Sequence, residues 1–397
     1  MVSAFEALSQ AAPAEILLKA ILVCVAGISV LLSFIVLRRW LRARYFARRD
    51  RQIVYTRQHW EELISAPPAW RFQPLAGEVM ETLLLDSIEV SQGEELARLV
   101  ECLRGSGLLD KRIREARSRK RWWRRQALVM LGRTRAVEAI PALTDALEAG
   151  DMETRIAAVR GMGKLALPEA AAPMLLLFCQ ERLSVPWTVL KNALWACCSS
   201  RPQVLLPHLR AAAGLPRELL ARVLAEVADA GMGDELLALV SDRSAEIRAA
   251  AARALARVDP QLALPPLSQL AGDGEWFVRL RAVISLGFLG IGEAVPILIR
   301  CLGDRNRQVR QRAAWGLMRS AKDMPDILRR VVEAGDNYGV QVMVAELERC
   351  ARFAPLLDQM RQSGGSQAGR LISSLLQARA KLGLDPELAR PQYASAP

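Results

Sequence analysis

The chain has 397 residues, too many for one ordinary hydrophobic core, so it holds several domains or one extended array. Ala, Leu, Arg and Glu dominate and alternating β-branched runs are scarce, which argues for helices and against a sheet-based fold. The formal net charge of +12 is local: residues 38–51 carry net +6 and residues 111–125 net +8, leaving −2 for the remainder, so no basic field covers the whole chain.

In chain order, the first predicted element is a transmembrane helix over 16–37, following an extracytoplasmic N-terminus over 1–15. Ala20 to Leu37 is a run of eighteen residues without a charge, about 27 Å of helix at 1.5 Å per residue. No Lys or Arg occurs in residues 1–15, whereas Arg38, Arg39, Arg42, Arg44, Arg48, Arg49 and Arg51 follow the run. By the positive-inside rule the C-terminal body lies in the cytoplasm. A cleaved signal peptide fits poorly, because the basic cluster follows the apolar run and no small-residue cleavage site precedes Arg38. The seven arginines read as a topology determinant or as a contact for anionic lipid, at about 1 kcal/mol per basic residue. A basic juxtamembrane helix is expected over 38–64, a Pro-rich linker over 65–77 ("SAPPAWRFQPLAG") and an N-terminal helical cap over 78–119.

From about residue 120 to 362 the chain repeats itself. With Arg279 as origin, Ala282, Val283, Leu286 and Gly287 lie at +3, +4, +7 and +8, one stripe of a helix. Arg124, Arg155, Arg217, Arg248 and Arg310 begin the same stripe, all spaced by multiples of 31. Pro186 stands at one origin with the stripe intact, and at Gln341 the pattern fades, with Val344 and Ala345 still in place. Pro141, Pro265 and Pro296 recur at +17, where proline suits the first turn of a second helix, and Asp242, Asp273 and Asp304 recur in turns. About eight helix–turn–helix units follow without an insertion. One hairpin cannot bury its stripe alone, so stacking gives an all-α, α-solenoid architecture. A C-terminal capping helix is expected over 363–385, opening on a flexible "SGGSQAG" loop, and a disordered tail over 386–397.

The segment "VRLRAVISLGFLGIGEAVPILIRCLGD" resembles a HEAT repeat of the short kind found in phycobilin-lyase-like proteins. The resemblance implies inter-repeat packing roles for Arg124, Arg155, Arg248, Arg279, Arg310, Asp242, Asp273 and Asp304. It specifies a fold and says little about activity.

One segment departs from a solvated helical face. Residues 111–126, "KRIREARSRKRWWRRQ", place adjacent indoles in the densest charge run. The repeat register puts Trp123 in the core, where other units have Ile247, Val278 and Val309, and leaves Trp122 exposed. Arg119, Lys120, Arg121, Trp122 and Arg125 form a candidate partner patch, for a protein, a membrane or nucleic acid. Nucleic acid is the least favoured, since the repeats after 125 are close to charge-balanced.

No catalytic or metal motif is apparent. The two histidines, His59 and His208, are far apart in sequence, and adjacent Cys197 and Cys198 make poor metal ligands. The seven cysteines lack C-x-x-C spacing and read as reduced, mostly buried thiols. The expectation is a non-enzymatic scaffold at the cytoplasmic membrane without a cofactor, binding a membrane-associated protein partner, in envelope assembly or signalling. A lyase-like enzyme or ligand binder, and nucleic-acid binding through 111–125, are the alternatives.

Overall fold

The computed structural model describes residues 2–65, 73–320, 323–363 and 366–383, with the side chains of 2–18, 20, 363 and 366 undescribed. The expected tail over 386–397 and most of the expected linker over 65–77 lie outside the described residues. The described chain is helical and contains no strand among those residues. It divides into two compact units: Met1–Ser118 with Arg133–Ala136, and Arg119–Gly132 with Val137–Pro397.

In the first unit, α1 (Val2–Gln58) runs unbroken from the apolar segment through the arginine cluster, and α2 (Trp60–Ser65) follows after the single residue His59. The unit continues with α3 (Pro74–Val90), α4 (Gly93–Gly105) and α5 (Leu108–Ala116). Its core is built from Val79, Met80, Leu84, Leu85 and Ile88 of α3 with Leu99 and Leu103 of α4 and Leu109 of α5. The C-terminal half of α1 joins this core: the Tyr45 hydroxyl donates to the Glu78 carboxylate at 2.7 Å, Arg49 stands 3.8 Å from the same group, and Thr56 is buried. The apolar stretch behaves differently, since its side chains from Ile21 to Leu37 are uncovered.

The second unit is a stack of helical hairpins, an all-α solenoid. The first helices of successive repeats are α6 (Arg121–Gly132), α8 (Met152–Leu165), α10 (Trp187–Cys198), α12 (Gly214–Val227), α14 (Ala245–Ala254), α16 (Trp276–Leu289), α18 (Arg307–Ser320) and α20 (Asn337–Arg349). The second helices are α7 (Ile140–Leu147), α9 (Ala171–Cys179), α11 (Leu205–Ala211), α13 (Gly233–Leu239), α15 (Pro260–Leu270), α17 (Val295–Cys301), α19 (Met324–Glu333) and α21 (Phe353–Ser363). The last helix is α22 (Ser366–Lys381), which begins within the stretch expected to form a loop. Each first helix packs on the first helix of the next repeat. The +3, +4 and +7 side chains make that contact: Ala127, Leu128 and Leu131 are buried, as are Ala282, Val283 and Leu286.

Three details differ from the sequence pattern. Pro265 and Pro266 lie inside α15 and not at its start, because Asp259 accepts the Gln261 N–H at 2.9 Å and Pro260 begins the helix early. In α20 the buried stripe is Val340, Met343, Val344 and Leu347, while Ala345 is exposed. A one-residue phase slip rotates a helix by about 100°, so the last first-helix presents a different face to its neighbour. Finally, Cys197, Cys198 and Cys301 are buried but Cys24 and Cys350 are exposed.

Candidate interaction surfaces

The repeat arginines and aspartates form a ladder over part of the second unit. Arg217 grips Asp242 through both terminal nitrogens at 2.6 and 3.1 Å. Arg248 holds Asp273 at 2.7 and 2.9 Å, and Arg279 holds Asp304 at 2.7 and 3.0 Å, each through Nε and Nη2. The remaining nitrogen reaches back to its own turn: Arg248 Nη1 donates to the Asp242 carbonyl at 2.8 Å and Arg279 Nη1 to the Asp273 carbonyl at 2.9 Å. Each aspartate also accepts an N–H two residues on, from Ser244, Glu275 or Asn306, and so fixes the turn before the next helix. Burial alone would raise these three carboxyls. The guanidinium and N–H donors outweigh it and hold Asp242, Asp273 and Asp304 below the ordinary carboxylate value. The same bonds raise Arg248 and Arg279.

The ladder does not extend over every residue of the pattern. Arg155 bonds only carbonyls, of Ser184 at 3.1 Å and Ala149 at 2.7 Å. Arg124 is half-buried in α6, and Ala149 stands twenty-five residues on, where the ladder places an aspartate. Arg310 donates to the Asp304 carbonyl at 2.8 Å, but its Nε is sealed from solvent with no partner. The residue twenty-five positions on is Gly335. Asp336 beside it turns to the Tyr338 N–H at 2.9 Å instead.

The basic, indole-containing run splits. Arg119, Lys120, Arg121 and Trp122 are exposed, Trp122 at 65%. Arg125 faces α8, 3.6 Å from Asp151 and paired with Glu153. Earlier in the run, Arg112 turns inward and holds buried Glu81 at 2.5 and 2.8 Å. Trp123 is not in the core: it is 47% exposed, whereas Ile247, Val278 and Val309 at the same register are buried. Helix α6 begins its unit, so no preceding repeat of that unit walls off this position, and an indole exceeds the slot a valine fills. The ring stacks edge-on against Trp122, centroids 4.9 Å apart.

On α1, Arg38, Arg39, Arg42, Arg44, Arg48 and Arg51 are exposed and Arg49 is half-buried. Arg44 lies over the Trp40 ring at 4.6 Å.

The near-neutral charge of the repeats hides a segregation that sequence reasoning missed. The exposed side of the first helices carries Arg160, Lys164, Arg222, Arg253, Arg281, Arg312 and Arg319. Arg222 and Arg253 meet Glu246 and Glu226, while Arg160, Arg281 and Arg312 have no partner among the described residues. Trp195 and Phe288 are exposed on this side, and Arg319 lies over the Phe288 and Trp315 rings at 5.4 and 5.2 Å. The signal was available: these residues recur at +2, +5 and +9 from the repeat origins.

Among the described residues no three His, Cys, Asp or Glu side chains converge to hold a metal ion. Burial pushes the Cys197 and Cys198 thiols up to about 12 and the Cys301 thiol to about 11, which makes them poor nucleophiles. Burial also lowers His208.

The profile of HEAT repeats matches residues 109–196, 202–287, 233–318 and 264–346, more than half of the chain. The chain therefore belongs to the HEAT-repeat family. No curated protein matches it. Similar solved structures include an engineered protein at 18% identity, covering 80% of this chain and 98% of that one with a TM-score of 0.33. Human deoxyhypusine hydroxylase in complex with glycerol matches at 19% identity, over 69% of this chain and 98% of that one, TM-score 0.26. Kap121p bound to RanGTP matches at 13% identity, over 79% of this chain and 40% of that one, TM-score 0.44.

Proposed function

We propose that this protein is a non-enzymatic, single-pass membrane scaffold whose HEAT repeats hold a protein partner beside the cytoplasmic face of the membrane. The observation that carries the tether is the uncovered apolar face of α1. Every described side chain from Ile21 to Leu37 is exposed, with 50–72% exposure for the large apolar ones. Eighteen uncharged residues span about 27 Å, close to the hydrocarbon thickness of a bilayer, and lipid is the solvent that removes this surface from water. The arginines from Arg38 to Arg51 then sit on the cytoplasmic side, where they contact anionic headgroups and oppose translocation. A tether of this kind raises the local concentration of the repeats near other membrane components, so weak contacts become effective without new ones. Such a device suits an envelope-assembly or signalling complex.

The experiment is fractionation of cells expressing the full chain, followed by crosslinking in isolated membranes. The full chain should resist alkaline extraction, deletion of residues 2–37 should release it, and the intact repeats should crosslink reproducibly to one membrane complex. Release of the full chain by alkaline wash would refute the tether. Crosslinks no richer than those of a scrambled-surface variant would refute the scaffold.

A further inference from the structure

We infer that the groove between α18 and α20 is a docking site for an acidic peptide segment of a partner protein, whose carboxylates pair with the guanidinium groups of Arg307 and Arg312 and with the open edge of Arg310. The inference rests on the scaffold reading above and specifies the chemistry of the partner.

The groove encloses about 700 Å³, within the range of sites that bury a side chain and its flanking peptide. On the α20 side it is lined by Gln341, Val342 and Ala345, the face that the one-residue slip leaves outside the buried stripe. Four guanidinium groups line it, from Arg307, Arg310, Arg312 and Arg349. The single carboxylate on its wall, Glu346, is already held by Arg349 at 2.5 and 2.8 Å. Arg307 and Arg312 are exposed and have no partner among the described residues.

Arg310 identifies the ligand group. Two repeats of this chain fill the same Nε–Nη2 fork with a carboxylate, Asp273 on Arg248 and Asp304 on Arg279. At Arg310 the back-bond to the turn carbonyl is conserved in form, yet Gly335 occupies the position from which the carboxylate should come. The Nε atom is out of contact with solvent and Nη1 is held by the turn carbonyl, so a carboxylate arriving through the groove pairs with Arg310 through Nη2 and takes its second contact from Arg307 or Arg312. Planar two-point pairing of guanidinium with carboxylate is the strongest arrangement available to this group. Gln311 and Gln341 add amides able to bond an extended backbone, and Trp315 with the exposed Tyr338 offers ring faces for apolar neighbours of the acidic residue.

The test is a fluorescence-anisotropy titration of the detergent-solubilised full chain with a labelled ten-residue peptide of alternating Asp and Leu. A peptide of alternating Asn and Leu, labelled oligo(dT) and phosphatidylglycerol vesicles serve as parallel probes. The Asp peptide should bind, and R310Q and R312Q should each weaken it at least fivefold. R312Q carries the argument if R310Q disturbs folding, because Arg312 has no internal partner. Absence of Asp-peptide binding, equal binding of the Asn peptide, or affinity unchanged in both variants would overturn the assignment. So would an R312Q-sensitive groove that prefers oligo(dT) or vesicles. Partner crosslinking that persists in R310Q and R312Q would leave the scaffold standing while removing this site from it.

Discussion

Two regions of the repeat stack solve the same packing problem by different means. From α12 to α18, successive repeats are joined by the Arg217–Asp242, Arg248–Asp273 and Arg279–Asp304 pairs. From α6 to α10 the ladder positions hold Ala149 and Gln180 in place of aspartate, Arg125 pairs with Glu153 of α8 outside that register, and glycine lets the helix backbones approach closely, a device that α16 and α18 add to their ladder pair at Gly287 and Gly316. A Cβ on Gly132 would lie 2.5 Å from the Gly161 Cα, and one on Gly163 would lie 2.8 Å from the Ala193 Cα. Glycine here serves backbone-to-backbone approach in mid-helix, where it otherwise costs about 1 kcal/mol relative to alanine. The 31-residue hairpin is thus indifferent to which device locks its neighbours. Dispersion across a close helix pair and a carboxylate-filled fork in the turn are interchangeable at the level of fold. They are not interchangeable in their response to mutation or pH.

The strongest way to break the comparison is Gly132→Val. The new side chain would meet backbone, which cannot rotate away, so α6 and α8 must separate. We expect a loss of about 3 kcal/mol confined to the first repeats, read as an early transition in chemical unfolding. The same register of α12 already carries a Cβ on Ala225, so Ala225→Val should be milder, and equal losses would erase the distinction.

Next in size is Asp273→Asn. It removes a charge-assisted fork from the mostly buried Arg248 and should cost about 2 kcal/mol by thermal unfolding. Acid offers the same cut without mutation. The ladder carboxyls are lowered in the folded state, so their contribution is complete above the unfolded value of about 3.9 and is lost as pH falls through the lower folded values. Melting temperature should therefore drop as pH falls below about 4, more steeply for wild type than for D273N. Parallel curves would mean that other carboxylates dominate acid unfolding.

Smaller still is Arg155→Gln. Arg155 bonds only carbonyls, so about 1 kcal/mol is expected, without altered acid sensitivity. Trp123→Ala should change stability by about 0.5 kcal/mol or less, because the ring is half exposed. A large loss there would restore it to the core.

Much of the fold could be read from one sequence because a repeat states its pattern many times. Ala282, Val283 and Leu286 alone are an ordinary amphipathic turn, and their return at Ala313, Ala314 and Leu317 turns them into a stacked interface. Candidate sites were less legible. The register puts Trp123 inside by analogy with Val278, but analogy between repeats fails at the first helix of a unit, which has no preceding repeat of that unit. Net charge concealed the basic side of the first helices, because acidic residues of the hairpins cancel it in the sum but meet only part of it in space, as at Arg222 and Arg253.

The sequence by itself determined the helical hairpin, its period of 31 and the uncharged stretch from Ala20 to Leu37, because each depends on spacing along one strand of chain. Only the tertiary structure decided which arginines find carboxylates. Arg279 and Arg310 are identical in local sequence logic, and they differ because a fork is completed by the next repeat. One slipped register in α20 and a glycine at position 335 leave the Arg310 fork open.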